Sequence, residues 1–431
     1  MEDRRRRLKG SERIGTVLIV ASVLGLAAVP AYAEPLGQRI PGLFGGNLNT
    51  TICPRCVSEA QPNPVRQLFS TLTADLALFY SEAPVPSASG AFGFEKHPEL
   101  EAGFQFINKG PGLADRAPTL GEHFGVIGVS YTHIDFDTLE GQPLDRLTFT
   151  QPALSQAYLA QLPQQDRMRA QDDLRQTHLD FHLTMDQFFI TGAYGLTESV
   201  DVSVALSLVR IQMRAAAEAD IVDGSNNGLG ASFAPNQPGV CLGDFPFRCA
   251  RDGFDDSAFG TGDVFLRGKW HFYDTKYADL AVAGVLTIPT GNADDFLGFH
   301  DPTFTPWLIA SKHLGRFEPH LNIGYAFRTH RDVSQAEWIA GTDFAAFKWL
   351  TLNADFLGFH DDKRDGINDD VLQSAVGFKI TPRAMWPAGS RVRWWRRHLS
   401  RMVVAGDFQF PLNRDGLRAD VIYTGQVEYT F

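Results

Sequence analysis

The chain has 431 residues, 33 of them Phe and 40 Gly, and a formal net charge of −11. That length admits two or three soluble domains as readily as one large one, and the acidic balance excludes nucleic acid as a partner. Mean hydropathy is −0.14, the value of a soluble protein. Beyond Val29, no apolar run approaches the ~18–20 residues that a spanning helix needs.

The amino-terminus is organised as a secretory leader. Arg4, Arg5, Arg6, Arg7 and Lys9 are followed by an apolar stretch over 14–29 and the small-x-small site Ala31-Tyr32-Ala33. Residues 1–33 are therefore expected to be removed before Glu34, the alternative being an uncleaved anchor. Segment 34–122 is rich in Pro and Gly, with strand-like runs only at 74–80 and 100–106. It reads as a plug inside a lumen or a periplasmic segment; otherwise its two runs add a hairpin. Cys53 and Cys56 flank Pro54-Arg55: a local disulfide, a redox dithiol or half a zinc site, without the His that haem attachment needs. Cys241 and Cys249 share one predicted loop and are expected to bridge in an oxidising compartment.

From residue 123 onward, apolar and polar residues alternate with a period of two, so each strand has an oily face and a wet one. Leu179, Phe181, Leu183 and Met185 oppose His178, Asp180, His182 and Asp186; Leu266, Trp270 and Phe272 oppose Arg267, Lys269 and His271. The same pattern ends the chain, where Tyr423, Val427, Tyr429 and Phe431 oppose Gln426, Glu428 and Thr430. Without long helices, only a closed barrel satisfies its backbone in lipid. The fold class expected is all-β: an antiparallel transmembrane β-barrel of about 12 strands over 123–431, or about 14 with the extra hairpin. Short turns near 196–198, 274–275, 315–316 and 348–349 fall on the side of the C-terminus, and long segments 137–173, 219–261, 290–302 and 361–368 on the other. This asymmetry is that of bacterial outer-membrane barrels. Segment 381–400 breaks it; its five Arg and three Trp form either a headgroup-binding interface or a solvated loop.

With the oily parity facing lipid, His178, Asp180, His182, Asp186, Arg267, Lys269, Arg328 and Asp355 are expected to line the lumen as the solute path. The lumenal cations Arg267, Lys269, Arg328, Lys379 and Arg418 would pair with Asp180, Asp201, Asp263, Asp343, Asp355, Asp407 and Glu428 rather than leave an open channel. His178 and His182 lie about 13 Å apart along their strand, too far to share a metal. No Gly-x-Ser-x-Gly motif is present, and neither cofactor nor metal is expected. Lys363 and Leu372 spoil a calcium loop at 361–372. Asp295-Phe296-Leu297-Gly298-Phe299-His300-Asp301 recurs as Asp355-Phe356-Leu357-Gly358-Phe359-His360-Asp361. Phe296, Phe299, Phe356 and Phe359 are thus expected at an extracellular aromatic rim, as a landing site for hydrophobic molecules or as interface girdle residues.

Gly110-Pro111-Gly112-Leu113-Ala114-Asp115-Arg116-Ala117-Pro118-Thr119-Leu120-Gly121, then Gly262-Asp263-Val264 and Thr287-Ile288-Pro289-Thr290-Gly291, resemble a family of outer-membrane proteins named for the meta-cleavage pathway of phenol degradation. The resemblance covers about residues 105–431 and implies a barrel that passes small, often aromatic, organic solutes through the outer membrane of a Gram-negative bacterium. The ending at Tyr429 and Phe431 is similar to the signal that outer-membrane assembly machinery reads. Membrane lipid, that machinery and a small organic solute are the expected partners. The rivals are a non-conducting structural or adhesive barrel and an outer-membrane enzyme acting on lipid.

Overall fold

The computed structural model describes residues 35–37, 39, 92–96, 104–108, 114–152, 160, 163, 164, 167, 168, 173–223, 249–299, 301–328, 333–347, 349–363, 370–381 and 401–431. The expected leader, Cys53, Cys56, Cys241, the run at 74–80 and loop 382–400 lie outside these residues, and Cys249 is described only as the first residue of a strand.

Twelve strands form the barrel. They are β1 (Gly125–Phe136), β2 (Asp173–Thr197), β3 (Val200–Asp223), β4 (Cys249–Asp274), β5 (Asp279–Ile288) and β6 (Thr303–Ser311). Then follow β7 (Phe317–Arg328), β8 (Val333–Phe347), β9 (Leu350–Lys363), β10 (Asp370–Ile380), β11 (Met402–Pro411) and β12 (Ile422–Thr430). Each pairs antiparallel with its neighbours in sequence, and β1 pairs with both β2 and β12, so the sheet closes. Gly125 and Phe431 exchange both backbone hydrogen bonds at the seam, at 3.2 and 2.9 Å. Closure leaves no barrel edge unpaired, which is what the hydrocarbon demands. A thirteenth strand, Leu147–Pro152, extends the sheet on the upper part of β2, above β1. The runs Phe92–Lys96 and Phe104–Asn108 pair with each other and not with the barrel, so the fourteen-strand alternative does not hold.

Around most of the barrel the oily parity faces outward. Ile127, Val129, Leu266, Leu308, Ile323 and Val427 are all exposed on this face. Aromatic pairs flank that belt: Trp270 with Phe272 and Phe347 stacked on Trp349 toward the short turns, Tyr131 with Phe188 and Tyr325 with Phe327 toward the long loops. A belt of exposed apolar side chains between aromatic girdles is stable only against lipid.

Three strands depart from this uniform plan. β2, β3 and β4 have 25, 24 and 26 residues, where about 9–11 suffice for a crossing. Their surplus projects on the long-loop side by about 40 Å. In the lower half of β2, Phe188, Ile190 and Tyr194 face out while Gln187 and Thr191 are buried. In the upper half the assignment reverses: Leu179, Phe181, Leu183 and Met185 are buried, and His178, Asp180 and His182 are exposed. β3 reverses at the same level, from outward Val202 and Val204 to outward Arg210, Gln212 and Arg214. The strand itself does not twist out of phase. Its outer solvent changes from lipid to water, so the apolar set moves to the inner face.

Candidate functional site: a stoppered lumen

The inner face of the projecting strands is covered by loops from three places. Leu139, Leu144 and Leu147 come from the β1–β2 connection, Phe296, Leu297 and Phe299 from β5–β6, and Leu417 and Ala419 from β11–β12. Together with Phe181, Met185, Ile211, Met213 and the early Leu36 they fill the upper lumen with a dry apolar core. The β5–β6 loop is drawn inward by Asp263, whose carboxylate accepts backbone N–H groups from Thr290, Gly291 and Phe299 at 3.1, 3.0 and 2.8 Å. Thr290 Oγ1 donates in return to the carbonyl of Gly262 at 2.8 Å. The Gly-Asp-Val and Thr-Ile-Pro-Thr-Gly stretches of the sequence therefore meet as one clasp.

Below that core the lumen is crossed by backbone. Residues 114–120 thread it without joining the sheet, and Ala114, Asp115, Arg116, Ala117 and Leu120 are all buried. Small wall residues make the room: Ala117 packs against Ala281, Ala283 and Ile309, and Ala114 against Ala375, Ile339 and Leu357. Ala117 N–H donates to Ser311 Oγ at 3.2 Å, and Leu120 N–H to the Asp201 carboxylate at 3.0 Å. Asp115 pairs with Arg267, and with Lys269 at 3.5 Å. Lys269 also donates to the carbonyls of Arg116 and Pro118, at 3.1 and 2.8 Å. Arg116 points to the other wall, where it pairs with Glu318 at 2.6 Å and with Asp343. Arginine keeps its charge in such a site, and both of its carboxylates are more than nine-tenths buried, so the pairs are fully committed.

The walls carry different sets of charges. β4 supplies Arg267 and Lys269 together with Asp263 at the clasp, and β3 supplies Asp201 beside Lys269, while β7 to β9, β11 and β12 supply buried Glu318, Glu337, Asp343, Asp355, Asp407 and Glu428, with Lys379 of β10 among them. A polar chain fixes the acidic wall. His320 Nε2 lies 2.7 Å from Asp355 Oδ1, and Asn353 Nδ2 donates to Asp355 at 3.3 Å and to Asp407 at 3.0 Å. Each long reach skips a strand, passing over Gly341 between His320 and Asp355 and over Gly377 between Asn353 and Asp407. A Cβ at either glycine would collide with the acceptor carboxylate. Gly341→Ala is accordingly expected to lower barrel stability by about 1–3 kcal/mol, through the overpacking of a filled site. Urea titration of the protein refolded into vesicles measures it; a change within about ±0.5 kcal/mol would dispose of this role for the glycine.

The residues expected in the lumen divide. Arg267, Lys269, Arg328 and Asp355 are inside, Arg328 lying over the Phe299 ring at 5.5 Å from its centroid. His178, Asp180, His182 and Asp186 are not: they face outward on the projecting half of β2, in water. His178 Nδ1 is 3.1 Å from Thr148 Oγ1, His182 3.1 Å from Asp180, and Asp186 accepts from Tyr131 and lies against His133, both at 2.7 Å. The aromatic rim is likewise corrected. Phe296, Phe299 and Phe359 are buried inside the lumen, and Phe356 alone faces lipid, 54% exposed. The repeated heptapeptide has two conformations: the first copy is a loop with Phe296 left-handed at φ 57°, the second lies within β9. Tyr429 and Phe431 sit on the outward face at the seam. The sequence reading missed Asp115 and Arg116 as functional residues. Their signal was present, two opposite charges among small residues in a segment without strand periodicity.

A closed barrel, lipid-facing outside and filled by its own chain inside, defines a transmembrane protein of the outer-membrane class. The chain matches no protein-family model and no curated protein. Among solved structures it is similar to an outer-membrane channel from Pseudomonas putida F1, at 12% identity over 73% of this chain and 98% of that one, with a TM-score of 0.43. A Pseudomonas aeruginosa FadL homologue aligns at 8% identity over 73% of this chain and 91% of its own, with a TM-score of 0.33. The CymD monoaromatic hydrocarbon channel aligns at 7% identity over 72% and 89%, with a TM-score of 0.31. These values carry neither solute nor mechanism to this chain.

Proposed function

We propose that the protein is a gated outer-membrane channel for small organic solutes, allied to the meta-cleavage family, with segment 114–120 as its gate. The observation that carries this reading is the kind of stopper: below the apolar core the bore is crossed by a segment of chain held to two walls through buried ion pairs. A structural barrel has no need of a removable filling. The finer reading is an apolar or aromatic solute. Its support is the upper core, where Met185 and Met213 give an adaptable apolar lining beside Phe181, Phe296 and Phe299. Such a solute pays heavily to enter the charged floor. It therefore leaves sideways, at the level where the β3–β4 ladder is already interrupted by the bulge between Leu206 and Leu208. The reaction is passage alone, with no catalytic step.

Uptake of labelled toluene by cells expressing the barrel, against cells lacking it, tests the solute class, and planar-bilayer conductance tests the channel. Uptake at the background rate removes the aromatic solute. Absence of conductance in both the native protein and a stopper variant leaves the adhesive barrel, which the water-facing extension of β2–β4 also suits.

A further inference from the structure

The two charges of the stopper are neighbours in sequence and opposite in sign, and each meets buried groups of the other sign. Asp115 lies between Arg267 and Lys269, and Arg116 lies between Glu318 and Asp343. We propose that this charge-split floor is a binding site for a small zwitterion whose cationic group is separated from its carboxylate by a flexible spacer, and that Asp115 and Arg116 occupy it as a resident ligand while the channel is shut. The inference rests on the gate reading but not on the apolar solute class.

Three features separate a binding site from a mere fastening. First, the stopper has tethers that use neither charge: Ala117 and Leu120 are held through backbone N–H groups, and Ala114 and Ala117 by packing. Second, the receiving groups are set in place by the barrel. Glu318 stands 3.5 Å from His313 as well as beside Arg116, and Lys269 stands 3.8 Å from Asp201 as well as beside Asp115. Preorganised groups of this kind bind without the cost of ordering them. Third, withdrawal of the stopper takes Asp115 from Arg267 on one wall and Arg116 from Glu318 and Asp343 on the other, while Lys269 keeps Asp201, so the two walls lose partners of opposite sign that a dipolar solute replaces together. A cation alone satisfies only one wall, an anion only the other. An apolar molecule satisfies neither, and leaves buried charges unpaired. 4-Guanidinobutyrate carries one guanidinium and one carboxylate at the two ends of a flexible spacer, and is the simplest probe.

The test uses the full-length barrel carrying Asp115→Ala/Arg116→Ala, with the less truncated, uncharged Asp115→Asn/Arg116→Gln variant alongside to guard against misfolding. Folding is checked by heat-modifiable gel migration. Binding of labelled 4-guanidinobutyrate to the detergent-solubilised variants is measured directly, with propylguanidine (the cation without the carboxylate) and butyrate (the carboxylate without the cation) as competitors. The expected result is saturable binding, at least about tenfold tighter for 4-guanidinobutyrate than for either half, since each lacks one charged contact. Adding Glu318→Gln to the variant should weaken it by about the same factor. Equal competition by all three compounds, or no saturable binding in either folded variant, overturns the proposal. Conductance of the same variants separates the two readings: selective binding without a rise in conductance keeps the site and removes the gate, and a rise without binding does the reverse.

Discussion

Arg116→Ala is expected to raise the open-channel current of the protein in planar bilayers by about tenfold or more, with no change in the migration of the folded barrel. The substitution removes the cation shared by Glu318 and Asp343 and leaves both buried acids uncompensated. Breaking a buried ion pair from one side costs about 3–5 kcal/mol. The barrel wall has a full hydrogen-bonded ladder and does not unfold to relieve that cost. Segment 114–120 has no ladder, so displacement of the stopper and entry of water is the cheaper relief. Every 1.4 kcal/mol transferred to that step multiplies the open population by about ten. Arg116→Lys keeps a charge but loses the planar fork that serves two carboxylates together, and its current should lie between the two. Currents for Arg116→Ala equal to those of the native protein would mean that the remaining tethers at Ala117 and Leu120 suffice to hold the stopper.

Much of the architecture was legible because lipid imposes a simple rule, and it was illegible where that rule stops. In β4 below the bulge, and in β10, β11 and β12, the oily parity reads outward and the structure agrees: Trp270, Val376, Phe408 and Val427 are exposed, and Lys269, Ala375, Asp407 and Glu428 are buried. β2 was misassigned because its apolar set at 179–185 was taken to face lipid, as in the other strands. The change is visible in the residues. The apolar set runs Leu179, Phe181, Leu183, Met185 and then, past Gln187, becomes Phe188, Ile190, Tyr194, Leu196. That jump from odd to even positions marks where a strand leaves the membrane. The lengths of the connections 137–173 and 219–261 concealed it further, since part of each is strand: Leu147–Pro152, the upper end of β3 and the lower-numbered half of β4. The heptapeptide echo misled for a different reason. Identical residues take different conformations when one copy is paired in a ladder and the other is drawn in by the clasp at Asp263. The lumenal charges were expected to pair from wall to wall, and Lys269 does lie 3.8 Å from Asp201; but Arg267 meets Asp115, Asp263 accepts backbone N–H groups and Asp180 faces outward, and the segment that supplies Asp115 was not foreseen. Its two charges become significant only once the fold places opposite walls on either side of them.

Equal substitutions on one face of β2 are expected to have unequal costs, divided at Gln187. Ile190→Arg puts a charge on the lipid side within the belt and should destabilise the barrel by about 2–4 kcal/mol, the cost of an arginine at the middle of a bilayer. Thr184→Arg is six residues away on the same side of the same strand, where the outer solvent is water, and should lie within about ±0.5 kcal/mol of the native protein. The inner face inverts the pattern. Leu183→Asp places a carboxylate in the dry core formed with Phe181, Met185 and Ile211, where nothing described offers it a partner, and should cost several kcal/mol by the usual penalty for burying an unpaired charge. Unfolding of the refolded protein in vesicles by urea, followed by tryptophan emission, gives all three values. A barrel whose outer face met lipid along the whole of β2 would penalise Thr184→Arg as heavily as Ile190→Arg, and one whose upper lumen were wet would tolerate Leu183→Asp. Either outcome would abolish the apolar upper core and, with it, the reason for expecting an apolar solute. The field between the walls at Arg116 would be untouched, because the groups that make it lie below the level at which the outer solvent changes.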